Sequence, residues 1–460
     1  MVSTPEVLPP STKAGVVGWL RANLFSSPFN AALTVVTAPL MAFAVVAVLR
    51  WVVFSADWSP INESLKLFLV GQYPTEELWR VGTVVVGVGA LMGVSWAAWG
   101  GVMRTFARIA AAAGLIVAAA PLEPAGFDVA VRLWYLGGAV SVVLGFAVGR
   151  VATPDPKWVT RAWALAFFLA MALIWGFDQT PIGSSLRTFF GAGVALTAAV
   201  GAVGWAGRFP LGVLLRWLIW GWGALFFVII VMAWGLGQTH LAPRVNTNQW
   251  GGLLLTFVLA VVGIVASFPI GVLLALARRS PLPVLKGLSI TFIELVRGVP
   301  LVTLLFMSIV IVPLFLPKGT SFDLVLRAVF AITLFSSAYM AENVRGGLAA
   351  VPLGQIEGAK ALGLGGFQTM LFIVLPQALR AVIPAIVGQF ISLFKDTTLV
   401  VIVGLLDILG IGKSLFLGNV RWFGAQAEVY LFIAVVFWVF TFAMAYASRK
   451  VEEALGVGSR

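Results

Sequence analysis

Runs of roughly twenty apolar residues, broken by short polar or charged stretches, follow one another along nearly the whole chain. A helix rising ~1.5 Å per residue needs about 20 apolar residues to cross a hydrocarbon layer of about 30 Å. The pattern therefore predicts about twelve membrane-crossing helices. They fall at residues 32–54, 79–100, 106–121, 130–149, 160–177, 187–206, 213–235, 252–277, 288–316, 323–343, 378–401 and 429–448. The expected fold is all-α, a polytopic membrane protein of about twelve transmembrane helices.

Composition agrees with this reading. Of 460 residues, 60% are hydrophobic and 10% are charged, against about 25% charged in a soluble domain. The net charge of +12 does not point to nucleic acid, because the basic residues are dispersed between apolar runs. They instead set an orientation, since cytoplasmic loops retain Lys and Arg. With the N-terminus inside, the inner connections hold Arg104, Arg108, Arg150, Lys157, Arg161, Arg208, Arg216, Arg278, Arg279, Lys286, Arg345 and Lys360, while Lys66, Arg244, Lys318 and Arg421 fall outside and break the pattern. The outer ones hold Asp57, Glu63, Glu76, Glu77, Glu123, Asp128 and Asp178. Both termini are expected in the cytoplasm and the chain in the plasma (inner) membrane. Residues 1–30 lack the pattern of a secretory signal and read as a cytoplasmic tail, as do residues 451–460. There is no cysteine, which excludes disulfides and thiolate chemistry. The single histidine, His240, reads as a solvated loop residue.

The chain divides unequally near residue 240. Residues 31–240 form an extension of about seven nearly featureless helices, rich in Ala, Val, Gly and Trp. Trp51, Trp79, Trp158, Trp175 and Trp250 sit near predicted helix ends, as interfacial anchors do. Residues 250–450 carry the unusual chemistry on five helices, with a half-polar connection at 345–376. There Pro352 can start a short helix and Gly363 can end it in a left-handed conformation. Phe367 would begin a second short helix, limited by Pro376. Gly358, Ala359 and Ala361 leave room for another protein to approach, with Leu353, Ile356 and Leu362 as apolar anchors and Glu357 and Lys360 at the rim.

The run Glu357-Gly-Ala-Lys-Ala-Leu-Gly363, followed by Leu375-Pro376, resembles the EAA loop of importer permeases in the ATP-binding-cassette superfamily. Gly358 departs from that pattern, where a second Ala is usual. Glu294-Leu-Val-Arg297-Gly-Val-Pro300-Leu, Ala338-Tyr-Met-Ala-Glu342-Asn-Val-Arg345-Gly-Gly and Phe394-Lys395-Asp396-Thr397-Thr398-Leu are similar to the polar amino-acid branch, which includes histidine and glutamine permeases. The long N-terminal half resembles one of the two permeases of broad-specificity L-amino-acid importers. The resemblance implies a five-helix permease core and a coupling loop formed by Glu357, Gly358, Ala359, Lys360, Ala361, Leu362, Gly363, Phe367 and Pro376. It implies a cassette ATPase dimer, a second and different permease chain and a periplasmic amino-acid-binding protein as partners. ATP would be bound by the ATPase, with no cofactor and no metal on this chain and no catalysis by it.

An amino acid needs partners for its ammonium and its carboxylate, because bare transfer of either charge through lipid is prohibitive. Intramembrane ionisable residues are therefore candidates. Asp396 with Thr397 and Thr398 comes first, and Glu342 second. The competing reading is an internal ion pair of Asp396 with Lys395 or Arg297, and for Glu342 an ion pair with Arg345 or a contact with a partner. Arg297 and Pro300 read as a structural kink. Gly410-Ile-Gly412-Lys413-Ser414 looks like the end of a phosphate-binding loop, but Asp407 stands where that pattern needs its first Gly. Two other function classes compete. An ion-gradient-driven secondary transporter would commonly show two matched halves. A membrane enzyme would need a cluster of catalytic or metal-binding residues.

Overall fold

The computed structural model describes residues 15–119, 129–175, 245–315 and 323–455. The expected spans at 187–206 and 213–235, the boundary near 240 and His240 lie outside the described residues. Among the described residues every regular element is helical. Eight helices are long and apolar enough to cross a membrane, and one sharply bent pair makes up to nine. The chain separates into two compact units, residues 1–58 and 59–460.

The first unit holds α1 (Val16–Asn23) and α2 (Pro28–Arg50), which continues as a π-helical turn to Ser55. Ser27 starts α2 by accepting a hydrogen bond from the Asn30 N–H at 3.1 Å, with Pro28 at the first turn, where its missing N–H costs nothing.

The second unit begins with two short helices, α3 (Ser59–Glu63) and α4 (Leu65–Val70), and then α5 (Leu78–Trp99), α6 (Gly101–Ala119), α7 (Val129–Ala152) and α8 (Pro156–Trp175). Helix α6 carries Arg104 and Arg108 and is not among the eight spans. Helices α5 and α7 approach until their backbones touch. A Cβ on Gly93 would lie 2.1 Å from the Val142 carbonyl oxygen, and one on Gly145 would lie 2.1 Å from that of Ala90. Gly82, Gly89 and Gly93 on α5 mirror the spacing of Gly138, Gly145 and Gly149 on α7. In lipid no hydrophobic force pulls helices together, so association depends on small residues that permit close dispersion contact. The extension is thus not featureless; its signal was a glycine period.

The remaining helices are α9 (Gly252–Arg278), α10 (Pro283–Arg297), α11 (Leu301–Val310), α12 (Leu324–Ala350), α13 (Leu353–Ala361), α14 (Gly366–Val403), α15 (Ile408–Gly418) and α16 (Gln426–Leu455). Helix α12 is capped by Asp323, whose carboxylate accepts from the Val325 N–H at 2.9 Å and from the Thr247 hydroxyl. Gly271 lets α9 lie against Met340 of α12. Gly347 lets α12 lie against the Ala378 backbone of α14.

Three expectations are corrected. The span at 288–316 is broken into α10 and α11, bent by 108°. Pro300 cannot continue the helix and disfavours helical geometry at Val299, so the predicted kink is a full break. The second short helix from Phe367 does not end at Pro376. It runs on as one 38-residue helix to Val403, because a π-helical turn at Thr369–Val374 shifts the bonding register where proline has no N–H to give. Trp250 is not an interfacial anchor, since it is 5% exposed within the core.

Candidate functional site: the α13 loop and the charged helix ends above it

Helix α13 starts at Pro352 and ends in a complete Schellman turn. The Gly363 N–H donates to the Lys360 carbonyl at 2.9 Å and the Leu364 N–H to the Ala359 carbonyl at 3.1 Å. Gly363 takes φ +77°, the left-handed conformation that its lack of a Cβ makes cheap. The chain then re-enters a helix at once. Gln368 reaches back to accept from the Gly365 N–H at 3.1 Å, and α14 begins.

Inward and outward faces of α13 are distinct. Ala359 is buried, and Ile356 packs on the cluster of Val351, Val374 and Met370. Glu357, Gly358, Lys360, Ala361 and Gly363 are exposed. Leu353 and Leu362 project outward, 74% and 83% exposed. Ala359 therefore does not offer itself to a partner, and of the three apolar anchors only Ile356 packs inward. Phe367 is 44% exposed, and Pro376 also lies on the surface. The result is a short helix fixed to the body by one side and presenting small, charged and isolated apolar residues on the other.

Above this loop the ends of α9, α10 and α12 meet in a charged cluster. Arg278 donates to Glu342 at 2.7 Å and to Glu294 at 3.1 Å. Arg345 donates to the other Glu342 oxygen at 2.9 Å, and Arg297 lies 3.9 Å from it. Arg297 also sits over the Tyr339 ring at 5.4 Å, and Arg279 donates to the Leu348 carbonyl at 3.1 Å. The ion pair foreseen for Glu342 with Arg345 is present, inside a larger network that sequence spacing did not reveal.

The polar residues at the far end of α14 are dispersed rather than convergent. Thr397 is fully buried and donates back to the Phe394 carbonyl at 2.8 Å. Thr398 donates to the Lys395 carbonyl at 2.8 Å. Asp396 is half-buried, and Arg297 lies instead against Glu342 and the Tyr339 ring. Gln377, Arg380, Gly388, Ser392 and Lys395 form an exposed polar and small-residue face along α14. Their helical spacing is visible in the sequence, beside the charged Asp396. The apparent phosphate loop is part of helix α15, where Gly412 makes room for Val429 and Ile433.

A bundle of apolar helices, one carrying an exposed polar stripe and rooted in an exposed side helix, defines a membrane transport subunit. Residues 267–455 match the family described as the binding-protein-dependent transport system inner membrane component. The chain is 35% identical over 470 residues to the glutamate/glutamine/aspartate/asparagine transport system permease protein BztC of Rhodobacter capsulatus, covering 97% of this chain and 95% of that one. It is 46% identical over 235 residues to the inner membrane amino-acid ABC transporter permease protein YhdY of Escherichia coli, covering 51% of this chain and 64% of that protein. A crystal structure of an amino acid ABC transporter with histidines shares 28% identity, with a TM-score of 0.40, over 44% of this chain and 92% of that one. The chain belongs to the family of inner-membrane permease components of binding-protein-dependent transport systems, in its amino-acid ABC transporter branch. This decides against the ion-gradient carrier.

Proposed function

We propose that the chain forms part of the path by which polar L-amino acids enter the cell, driven by ATP hydrolysed on a cassette ATPase dimer that docks on α13. The exposed face of α13, with Leu353 and Leu362 uncovered on a helix otherwise anchored to the body, carries this reading. Glu357, Gly358, Lys360, Ala361, Leu362 and Gly363 would meet the ATPase. Its movements would pass through the continuous helix α14 into the membrane. ATP would be held by the partner and not by this chain.

Lys and Arg on the inner connections support a cytoplasmic position for α13 and for both termini, in the plasma (inner) membrane. The relative's name, with its two acidic and two amide amino acids, supports polar cargo. The polar stripe on α14 is a poor match for lipid. It supports a pathway shared with a second permease chain, which we take to be different in sequence. Asp396 and Thr398 remain candidates for substrate contact at its far end. Thr397 is tied to its own helix, and Glu342 holds the arginine cluster. A periplasmic amino-acid-binding protein would deliver cargo to the outer face.

The test is Gly363→Arg in the complex reconstituted in liposomes. A side chain at this φ is strained, and its bulk stands on the docking face. The ATPase should no longer co-purify, ATP-driven uptake of L-glutamate should be lost, and the thermal transition of the isolated chain should fall only by the strain at Gly363, about 1–2 kcal/mol. Normal coupled uptake by the variant would refute the docking role of α13.

A further inference from the structure

Which end of the extension shares a side with α13 follows from contacts at the opposite end. Helix α14 starts beside α13 and runs 38 residues to Val403, so Leu406 lies across the membrane from α13. The Gly252 N–H at the start of α9 donates to the Leu406 carbonyl at 2.9 Å. Gly71 meets Gly251 backbone to backbone, where a Cβ would lie 2.5 Å from the Gly251 Cα. Two residues on, the Tyr73 hydroxyl donates to the Ile174 carbonyl near the end of α8, at 2.8 Å. Helix α8 has 20 residues, about 30 Å at helical rise. Its start at Pro156 therefore returns to the side of α13. The ends of α5 and α7 are there too, since the Trp163 ring N–H of α8 reaches the Ser95 hydroxyl at 2.8 Å and Gly149 packs on Ala97.

Five exposed basic residues gather at this end: Arg104 and Arg108 of α6, Arg150 of α7, and Lys157 and Arg161 of α8. No ion pair holds any of them among the described residues. The nearby Asp155 is spent on capping α8, where its carboxylate accepts from the Lys157 backbone N–H at 2.8 Å. Three of the arginines lie over rings instead: Arg108 over Trp96 at 5.6 Å, Arg150 over Phe146 at 5.9 Å and Arg161 over Trp158 at 4.8 Å. A guanidinium laid on a ring keeps the N–H groups along its edge free for a phosphate. Between α5, α6 and α8 runs an open groove of about 360 Å³, lined by Met92, Trp99, Met103, Phe106, Thr160 and Trp163. Its polar atoms are already used, the Trp163 N–H on Ser95 and the Thr160 hydroxyl on the Pro156 carbonyl at 3.0 Å. Lys157 stands one turn from Thr160 on the same face of α8, toward the inner surface. Trp158 is 59% exposed beside it, as tryptophans at the level of lipid head groups are.

Unanswered positive charge beside a groove with no free polar atom fits one ligand chemistry, a phosphate ester that carries an acyl chain. A soluble anion would leave the groove empty, and a lipid without net charge would leave the basic residues unanswered. We infer that the groove between α5, α6 and α8 binds an anionic phospholipid of the inner leaflet. Its acyl chain lies against Met92, Phe106 and Trp163, and its phosphate is held by Lys157 and Arg161. That the leaflet is the inner one rests on the reading above that α13 faces the cytoplasm; the chemistry of the ligand does not.

The test is native mass spectrometry of the full transporter complex released from detergent, with dioleoylphosphatidylglycerol and dioleoylphosphatidylcholine added in equal amounts. The parent should retain phosphatidylglycerol in several-fold excess. Lys157→Gln with Arg161→Gln should bring the two lipids to parity, and Lys157→Arg with Arg161→Lys should keep the excess. Lys286→Gln with Arg449→Gln removes the same charge from the core and should change nothing. Parity in the parent, or an equal loss in that control, would overturn the site, the second because it shows a general attraction of basic surface for anions. Met103→Trp fills the groove without changing charge and should lower phosphatidylglycerol retention several-fold. Full retention by that variant, or displacement of the lipid by excess inorganic phosphate, would overturn a ligand seated by its acyl chain. The chain has no cysteine, so a maleimide that cannot the membrane cross should report Thr153→Cys and Gly358→Cys singly, both from the cytoplasmic side. Opposite sides would overturn the placement of the groove. Labelling of both from the periplasmic side would strike the reading of α13, and with it the leaflet, while the lipid result stands.

Discussion

Helices α5 and α7 of the extension and helices α12 and α14 of the core are both drawn together by glycines, yet they are finished differently. The α5–α7 seam is backbone against backbone at Gly89, Gly93 and Gly145, with Gly82 seating the Trp134 ring, Gly138 the Val85 side chain and Gly149 that of Ala97, and with the Trp96 and Phe146 rings stacked at 4.1 Å. No ion pair joins these two helices among the described residues. In the core, Gly347 brings α12 and α14 together once. The ends of α9, α10 and α12 are then joined by charges around Glu342, and α14 carries a π-helical turn just after the exposed α13 loop. A seam of many small dispersion contacts has one good arrangement. A cluster of side-chain ion pairs and a π turn have alternatives. The difference predicts that the α5–α7 seam resists rearrangement more than the charged helix ends of the core do.

The sharpest way to break the comparison is to place bulk on each side. Gly93→Leu would drive a side chain into the Val142 carbonyl, since even a Cβ falls 2.1 Å from it. Neither backbone can yield cheaply, so the cost should reach the top of the ~1–3 kcal/mol usual for overpacking. Purified in detergent, the variant should lose its monodisperse peak or unfold well below the parent. Gly358→Leu on α13, where a Cβ meets nothing within 4 Å, should leave the thermal transition unmoved. Equal losses from both would mean that α13 is packed as tightly as the extension.

A smaller effect probes the charges. Glu342 is only 17% exposed and faces three arginines. Glu342→Gln should destabilise by on the order of 2 kcal/mol, the worth of hydrogen bonds to a charged group, read as a lower unfolding midpoint. Adding Arg278→Met should recover part of the loss, because it removes one of the charges left uncompensated. If the double variant is simply the sum of the two singles, the cluster is not acting as a unit.

How much of this was legible in the chain follows from which forces act locally. The five core spans, the Gly363 stop and the kink at Pro300 rest on apolar length and on backbone rules for Gly and Pro, which need no tertiary context. The run-on of α14 through Pro376 was not legible, because a π turn leaves no composition signal and the Pro alone argued for a stop. The Glu342 cluster joins residues from 278 to 345, and sequence showed only its Arg345 leg, three residues away. Of the candidate pathway residues, Thr397 has a fitting side chain but bonds its own helix. The exposed stripe on α14 follows a helical period that could have been counted. The α5–α7 seam lies outside residues 267–455, which the family description matches, and was hidden in plain composition, as glycine spaced by seven and four.

The last expected effect concerns the joint between the extension and the core, and it is a pH dependence. Asp407 lies between the spans α14 and α16 and is fully buried. One oxygen caps α15 by accepting from the Gly410 N–H at 2.9 Å. The other has no hydrogen-bond partner among the described residues. Burial is the main cause that pushes this carboxyl up from 3.8 to about 7, opposed by the Gly410 N–H and, more weakly, by Lys413. The folded chain therefore holds a proton here that the unfolded chain releases near its ordinary value. Stability from this group is fully present below about pH 4 and is lost as pH rises through about 7. Asp407→Asn keeps a carbonyl oxygen for the cap and cannot ionise. Its unfolding midpoint, compared with that of the parent in the same detergent, should gain steadily between pH 5 and pH 8. Parallel curves would mean that the carboxyl ionises freely at the joint, which would then be as yielding as the charged ends of the core.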